Sequence, residues 1–167
     1  MKKLRKGFTL LELLVVIGVM GILSSTAMIA GQQATDGARA TTIAEGLEKA
    51  ASAMMMYYAD NASNIAINGV VDTATDGKIA KADVLAGANA YLKTADQLVD
   101  TAAAGKYSID FNGTAPAQTW WIVYTLPTTD TAGVGAILKN KANRMGLKTA
   151  ANGDAYDGGA TVAMQVR

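Results

Sequence analysis

Cysteine and histidine are both absent from the 167 residues of this chain. Without thiols the chain cannot form disulfides, and without thiolate or imidazole ligands it lacks the side chains that most zinc sites require. The same absences exclude Ser-His-Asp and Cys-His catalysis. The sequence also contains no P-loop and no GxGxxG segment that opens a helix. We therefore expect a protein that is not an enzyme and that carries no cofactor.

Charge is scarce as well, since only 17% of the residues are charged and the formal net charge is +1. Four of the 15 basic residues form a basic cluster within the first six positions, namely Lys2, Lys3, Arg5 and Lys6. Beyond this cluster acidic residues outnumber basic ones, so the rest of the surface is mildly acidic. No specific nucleic acid partner is predicted, because nonspecific binding to phosphates requires an excess of basic side chains.

An apolar run follows the basic cluster, and its only charged residue between positions 8 and 30 is Glu12. As a helix this run would span roughly 35 Å, which exceeds the roughly 30 Å of hydrocarbon in a bilayer. Its many Leu, Ile and Val side chains favour insertion by more than the roughly 3 kcal/mol that one acid costs. We expect residues 8–31 to span the cytoplasmic membrane, with the basic cluster in the cytoplasm and the remainder of the chain outside.

The start of the apolar run has a specific pattern, which reads Gly7-Phe8-Thr9-Leu10-Leu11-Glu12-Leu13-Leu14-Val15-Val16. It resembles the prepilin signal of type IV pilins and the related pseudopilins. The resemblance implies that a prepilin peptidase cuts between Gly7 and Phe8 on the cytoplasmic side, so that residues 1–7 are a leader peptide. It also implies N-methylation of Phe8, the new N-terminal residue.

Two other processing routes stay open. An ordinary secretory signal would be cut at the small-x-small site Ser25-Thr26-Ala27, although its apolar stretch would be long and would carry an acid near its beginning. In the other route the segment is never cut and serves as a simple anchor.

Placing the Glu12 carboxylate in an apolar segment costs free energy, and two arrangements would lower this cost. The first is that its side chain reaches toward the lipid headgroups near one end of the span. The second follows from cleavage, because Phe8 then carries a charged amine one helical turn from Glu12, and the two charges are cheaper together. The resemblance implies that Glu12 pairs with the amine of a neighbouring subunit and fixes the axial register of assembly. We group Thr9 with Glu12 as an assembly residue of the same motif.

The helical pattern continues beyond the membrane boundary. Spacings of three and four residues place Ile43, Leu47, Ala50, Met54 and Tyr58 on one face. We expect residues 32–59 to form an amphipathic half of one helix and residues 60–167 to form a globular head. Only the amphipathic half can pack on such a head, so the apolar half would protrude and need lipid or other copies of itself. Repeated head-to-tail packing of that half gives an open helical homo-oligomer.

The fold class expected is α+β, with a long N-terminal helix packed by its second half on an antiparallel sheet and additional shorter helices. The Asn68-Gly69 pair predicts a hairpin turn, and an Ala-rich pattern predicts a helix from Lys78 to about Ala104. Further predicted elements are a strand over 107–111, a strand over 120–126, a third helix capped by Asp130 and a final strand over 162–166.

Three smaller expectations concern the head and the middle of the apolar segment. Trp120 and Trp121 lie on opposite sheet faces, so one belongs to the core and the other is exposed or lies beneath a loop. No metal site is predicted, although oxygens for calcium are available from Asn152, Asp154 and Asp157 or from Asp72 and Asp76. Many family members carry a proline near position 29, where this chain has Ile29, so we expect the helix not to melt strongly there.

Together these observations predict a structural subunit, most simply a major pilin, of a type IV pilus or related filament. Its partners would be the prepilin peptidase, the pilus assembly machinery, membrane lipid before assembly, and other copies of itself. A pseudopilin of a type II secretion system is the close alternative. An exported ligand-binding domain on a signal anchor is the alternative from another class. The sequence does not choose among motility, adhesion, DNA uptake and secretion.

The cleavage site gives the first testable prediction. We expect the intact mass of the exported protein to correspond to loss of residues 1–7 and addition of one methyl group. A mass matching loss of residues 1–27 would instead identify an ordinary secretory signal, and the mass of the whole chain would identify an uncut anchor.

Overall fold

The computed structural model describes residues 8–71, 78–149 and 153–167. The chain divides into two compact units, with the division between Thr35 and Asp36. Both units contribute to one long helix, α1, which begins at Leu10 and ends at Asn68. A sheet and further helices follow it, so the mixed α+β fold expected from the sequence is confirmed.

Helix α1 is longer than its sequence pattern predicts, since the prediction ends at about Ala59. The helix continues because Ile65 extends the buried face by two further turns and is itself fully buried. Gly69 ends it with a left-handed φ of 70° and donates its amide to the carbonyl of Ile65 at 2.9 Å. The hairpin predicted at Asn68-Gly69 is therefore wrong, because this pair closes a helix.

The remaining elements follow in a compact order. The first group is β1 (Val70–Val71), β2 (Ile79–Ala80), α2 (Lys81–Asn89), a 3₁₀ turn (Thr94–Asp96) and β3 (Leu98–Val99). The second group is β4 (Tyr107–Asn112), β5 (Thr119–Thr125), α3 (Gly133–Met145), β6 (Leu147–Thr149), β7 (Asp154–Ala155) and β8 (Thr161–Gln165). Strands β3 to β8 form one sheet in the order β3-β4-β5-β8-β6-β7, and β1 pairs separately with β2. The sheet is antiparallel as predicted except at its β3 edge, which is parallel to β4.

The helix predicted from Lys78 to about Ala104 is much shorter, because α2 ends at Asn89. The Asn89 side chain then bonds the backbone of Leu98 on both sides, accepting from its amide at 2.7 Å and donating to its carbonyl at 3.0 Å. These bonds satisfy backbone groups on the outer edge of β3, where none of the described strands pairs. Burial of Leu98 against the sheet therefore outweighs the helical propensity of the surrounding alanines.

The core of the second unit lies between α1 and the sheet. The predicted apolar face is confirmed, since Ile43, Leu47, Ala50 and Met54 are all buried. Trp120 is fully buried, and its ring meets the ring of Tyr58 edge-on at 5.5 Å between centroids. Such edge-to-face pairs add about 0.5–1.5 kcal/mol to the hydrophobic gain.

Trp121 lies on the opposite sheet face in a second buried cluster with Val123 and Ala163, and only 4% of it is exposed. Its ring passes under Gly153, where an added Cβ would lie 3.8 Å from it. The indole nitrogen donates to Thr119 Oγ1 at 3.1 Å. The second tryptophan therefore lies beneath a loop, and the exposed alternative is wrong.

Helix α3 begins at Gly133 without a side-chain cap, so the prediction that Asp130 caps it is wrong. The carboxylate of Asp130 instead accepts a hydrogen bond from Arg39 Nη1 at 2.9 Å, and only its backbone carbonyl reaches the helix, at the amide of Gly135. Asp36 lies directly against Gly133, where a carboxylate is favoured by the helix dipole. Asp36 and Arg39 lie at the beginning of the part of α1 that belongs to the second unit. Both therefore contact the segment where α3 starts.

Close packing of α1 on the sheet depends on Gly46. A Cβ at this position would overlap the hydroxyl and ring of Tyr107, whose Oη lies 3.4 Å from the carbonyl oxygen of Ile43. Burial raises the pKa of Tyr107 well above its usual range. The phenol that lies against Gly46 is therefore neutral. Gly46 therefore provides the space that lets β4 approach α1.

We expect Gly46→Ala to lower the free energy of unfolding by about 1–3 kcal/mol, because the buried Tyr107 ring must move. The matched control is Gly37→Ala, which is also in α1 but has nothing within 4 Å of the new Cβ. That change should stabilise by up to about 1 kcal/mol through helix propensity. Guanidinium unfolding of the full chain in detergent, followed by tryptophan fluorescence, measures both. Equal midpoints for the two variants would contradict the packing role.

Candidate functional site

The start of α1 is fixed by a reciprocal pair of side chains, Thr9 and Glu12. The Thr9 amide and hydroxyl both donate to Glu12 Oε2 at 2.8 Å, and the Glu12 amide donates back to Thr9 Oγ1 at 3.2 Å. This is a capping box, in which the N-cap residue and the third helical residue satisfy amides that the helix leaves unpaired. It explains why the helix begins at Leu10.

The capping box also bears on the cost of an acid in an apolar helix. Both donors that reach the Glu12 carboxylate come from Thr9, so part of its solvation is supplied by its own chain. The sequence reasoning placed both residues in one motif but missed this contact. The Thr-x-x-Glu spacing before an apolar run is the signal that identifies it. Thr9 and Glu12 are therefore brought together by the structure, whereas their part in assembly stays a prediction.

The other predicted residues of this site are placed as follows. Phe8 precedes the cap and has 84% of its surface exposed. Gly7, on the other side of the expected cleavage point, lies outside the described residues. The same holds for the basic cluster of Lys2, Lys3, Arg5 and Lys6.

The first unit exposes many large apolar side chains and has no charged residue beyond Glu12. Every described residue from 8 to 35 is exposed, and the large side chains are Phe8, Leu10, Leu11, Leu13, Leu14, Val15, Val16, Ile17, Val19, Met20, Ile22, Leu23, Met28 and Ile29. Within the part of the chain that the structure describes, α1 is the one helix long and apolar enough to cross a membrane. An apolar stretch of 18 residues in α1 has no residue buried in the chain.

Two hydroxyl side chains in the middle of this segment donate hydrogen bonds to carbonyls of the same helix. The hydroxyls of Ser25 and Thr26 donate to the carbonyls of Ile22 and Leu23 at 2.8 and 2.9 Å. Such bonds remove most of the cost of placing a hydroxyl in hydrocarbon. The helix is unbroken from Gly21 through Ala30 in the isolated chain. Its behaviour in an assembly stays a prediction.

The second unit contains an open cavity of about 520 Å³ beside α1. Its lining is mixed in charge and comprises Glu45, Glu48, Lys49, Ser52, Ala53, Met56, Tyr91, Leu92, Lys93 and Asp96. Tyr91 closes one side and donates to Asp60 Oδ2 at 3.1 Å, a bond that raises the pKa of the tyrosine. The apolar part of its lining comes from Ala53, Met56 and Leu92, which lie among the charged side chains.

Of the residues considered for calcium, the structure describes only Asp154 and Asp157. Among the described residues no three carboxylates lie close enough to hold a metal ion. Asp157 Oδ1 accepts the amide of Gly159 at 2.9 Å, which is the ordinary role of an aspartate in a turn. Asn152, Asp72 and Asp76 lie outside the described residues.

Comparison with known proteins points to the same segment. Residues 2–28 match a family described as the prokaryotic N-terminal methylation motif. No curated protein and no solved structure matches the chain. The match supports a prepilin of the type IV pilin or pseudopilin kind, which is a structural protein, and it supports membrane anchoring by the apolar helix.

We expect Thr9→Ala to loosen the first turn of α1 by about 1 kcal/mol, because it removes the side chain of the capping box. Hydrogen exchange at the Glu12 amide of the uncut chain in micelles should accelerate by about fivefold. Thr9→Ser should leave the rate unchanged, and Thr26→Ala is a matched control whose hydroxyl caps nothing. An unchanged rate in Thr9→Ala would contradict the cap.

Proposed function

We propose that this chain is a structural subunit of a type IV pilus or a closely related filament, made as a membrane-anchored prepilin and polymerised through its N-terminal helix. The single observation that carries the proposal is the fully exposed apolar surface of residues 8–31, which begins with a methylation motif. Such a surface needs lipid or identical copies around it.

The first step is storage in the membrane. Residues 8–31 span the bilayer with the basic cluster in the cytoplasm, and the head, residues 60–167, is outside together with the amphipathic half of the helix, residues 32–59. Before cleavage, Thr9 provides the hydrogen bonds that a carboxylate at the start of the span requires. Glu12 is thus satisfied without a partner subunit.

Cleavage between Gly7 and Phe8 changes this balance of charge. The new amine of Phe8 precedes the cap, four residues before Glu12, and an unpaired amine in hydrocarbon is costly even though Thr9 still donates to the Glu12 carboxylate. Pairing the amine of one subunit with Glu12 of the next satisfies both charges only when the two helices are in register. The charges therefore fix the axial position, while the apolar side chains provide the affinity.

Repetition of this contact makes a filament. Residues 8–31 of one copy pack on the same segment of other copies in a head-to-tail relation that does not close, so growth continues along one axis. Gly18 and Gly21 have nothing within 4 Å of an added Cβ, which leaves room for neighbouring helices to approach. Assembly requires an external machine, because each helix must leave lipid as it enters the filament.

The major pilin role is our first choice, and a pseudopilin of a type II secretion system is the alternative within the same class. The alternative from another class is an exported ligand-binding domain on an anchor, for which the open cavity of about 520 Å³ in the second unit would be the binding site. Motility, adhesion and secretion belong to the assembled machine and depend on its other components.

Electron microscopy of sheared surface material, combined with peptide identification, tests the proposal. We expect filaments that contain this chain in the parent strain. In Glu12→Ala the leader should be cut normally, yet the amount of subunit in the sheared fraction should fall at least about tenfold, because an unpaired amine among apolar side chains costs several kcal/mol.

Glu45→Ala is the matched control, because Glu45 is an exposed acid of the same helix outside the apolar segment. It should leave filament yield unchanged. Normal polymerisation of Glu12→Ala would contradict the register role, and absence of this chain from any filament would favour the anchored-domain alternative.

A further inference from the structure

The chain contains two Asn-x-Ser/Thr sequons that the proposed function does not use. They are Asn61-Ala62-Ser63 and Asn112-Gly113-Thr114. This tripeptide, with any residue except proline in the middle, is the acceptor of N-linked glycans when it lies on the surface of an exported domain. The structure places the two in very different surroundings.

Asn61 is a poor acceptor. It lies within α1, is half-buried, and its Nδ2 donates to the carbonyl of Tyr57 at 3.0 Å. A transferase binds its acceptor in a non-helical conformation, so modification would require unwinding of α1 beside Tyr57 and Tyr58, which pack on the core. The burial that holds this part of the helix therefore protects Asn61.

Asn112 differs from Asn61 in secondary structure and in exposure. It is the last residue of β4, pairs with Thr119 at the end of the β4–β5 ladder, and is exposed. Gly113 and Thr114 begin the loop to β5 and are exposed as well, and Gly113 has a φ of 85°. A sequon at the end of a ladder can be drawn out of the sheet by opening one terminal residue pair, since strand ends open more readily than the core.

The surroundings of this loop also favour access. Gly113 and Thr114 line an open cavity of about 270 Å³ together with the end of α1 and β1. Ile67 forms part of that lining and has 77% of its surface exposed. The loop is held at its far end, where the buried Gln118 side chain bonds the Val70 amide and carbonyl at 2.9 and 2.8 Å. Opening at Asn112 therefore leaves the attachment of β1 intact.

We propose that Asn112 is an acceptor for an N-linked glycan, with a lipid-pyrophosphate-linked oligosaccharide as the donor. The amide nitrogen Nδ2 of Asn112 would form a bond to the anomeric carbon of the first sugar, and the bond from that carbon to the pyrophosphate oxygen would break. The lipid pyrophosphate leaves with the bonding electrons, and a base of the transferase takes the amide proton. The inference rests on the proposed function only in requiring the second unit to be outside the membrane.

The proposal also assigns a role to the cavity beside the loop. The first sugar attached to Asn112 would lie next to the 270 Å³ cavity and cover part of the exposed Ile67 side chain. Asp110 is exposed on the same face of β4, two residues before the acceptor. The glycan would project from the β4–β5 end of the sheet.

Expression of the full chain in a bacterial host that supplies an oligosaccharyltransferase and a lipid-linked glycan of known mass tests the proposal. Trypsin separates the sequons, because Asn61 falls in the peptide 50–78 and Asn112 in the peptide 107–139. We expect the glycan mass on peptide 107–139 of the parent, its loss in Asn112→Gln and Thr114→Ala, and its retention in Thr114→Ser and Asn61→Gln. Thermal unfolding of each variant shows that the fold is retained.

Protease added to spheroplasts separates failure of this proposal from failure of the proposed function. A second unit that is digested from outside, but whose peptide 107–139 is unmodified while a reference acceptor is glycosylated, overturns the glycan site alone. A second unit that is protected overturns both proposals. Glycan on peptide 50–78 in place of 107–139 overturns the choice of Asn112.

Discussion

The exposed apolar surface at the start of α1 is the constraint on which the other features depend. Fourteen large apolar side chains between Phe8 and Ile29 are exposed, and burial of each is worth about 1.5–3 kcal/mol. Their sum exceeds the roughly 5–15 kcal/mol that keeps a typical domain folded. No rearrangement of the second unit could compensate for such a surface in water. The segment must therefore be surrounded by lipid or by other copies, and the proposed transfer from one to the other follows from this.

A single charged residue gives this apolar surface its direction. Apolar contacts are not directional, so helices that share only such contacts can slide along one another. We propose that Glu12 removes this freedom in the filament, because a carboxylate in hydrocarbon is stable only where donors reach it. In the uncut chain those donors are the amide and hydroxyl of Thr9. In the proposed filament the amine of Phe8 on a neighbouring subunit adds to these donors, so that Glu12 selects the position of that neighbour.

The second half of α1 has a different task, since it provides one wall of the core of the second unit. Its apolar face at Ile43, Leu47 and Met54 could be predicted because helical spacing alone identifies it. The close approach of β4 could not, because it depends on the missing side chain of Gly46 and the position of Tyr107, which is 61 residues away in sequence. The sheet can therefore pack closely on α1 because Gly46 has no side chain.

Local sequence determined the apolar segment, the methylation motif, the buried stripe of α1 and three of the six strands of the sheet, β4, β5 and β8, because spacing, hydrophobicity and turn residues act over a few positions. Tertiary structure alone decided where α1 ends, why α2 stops at Asn89, that Asp130 pairs with Arg39, and that Trp121 lies beneath Gly153. Burial of Ile65 and Leu98, and contacts of Asp130 and Trp121 with residues distant in sequence, outweighed local preferences of about 1 kcal/mol or less. The Thr9 and Glu12 pair is the exception, since its signal was local and readable and its contact was nevertheless recognised only in the structure.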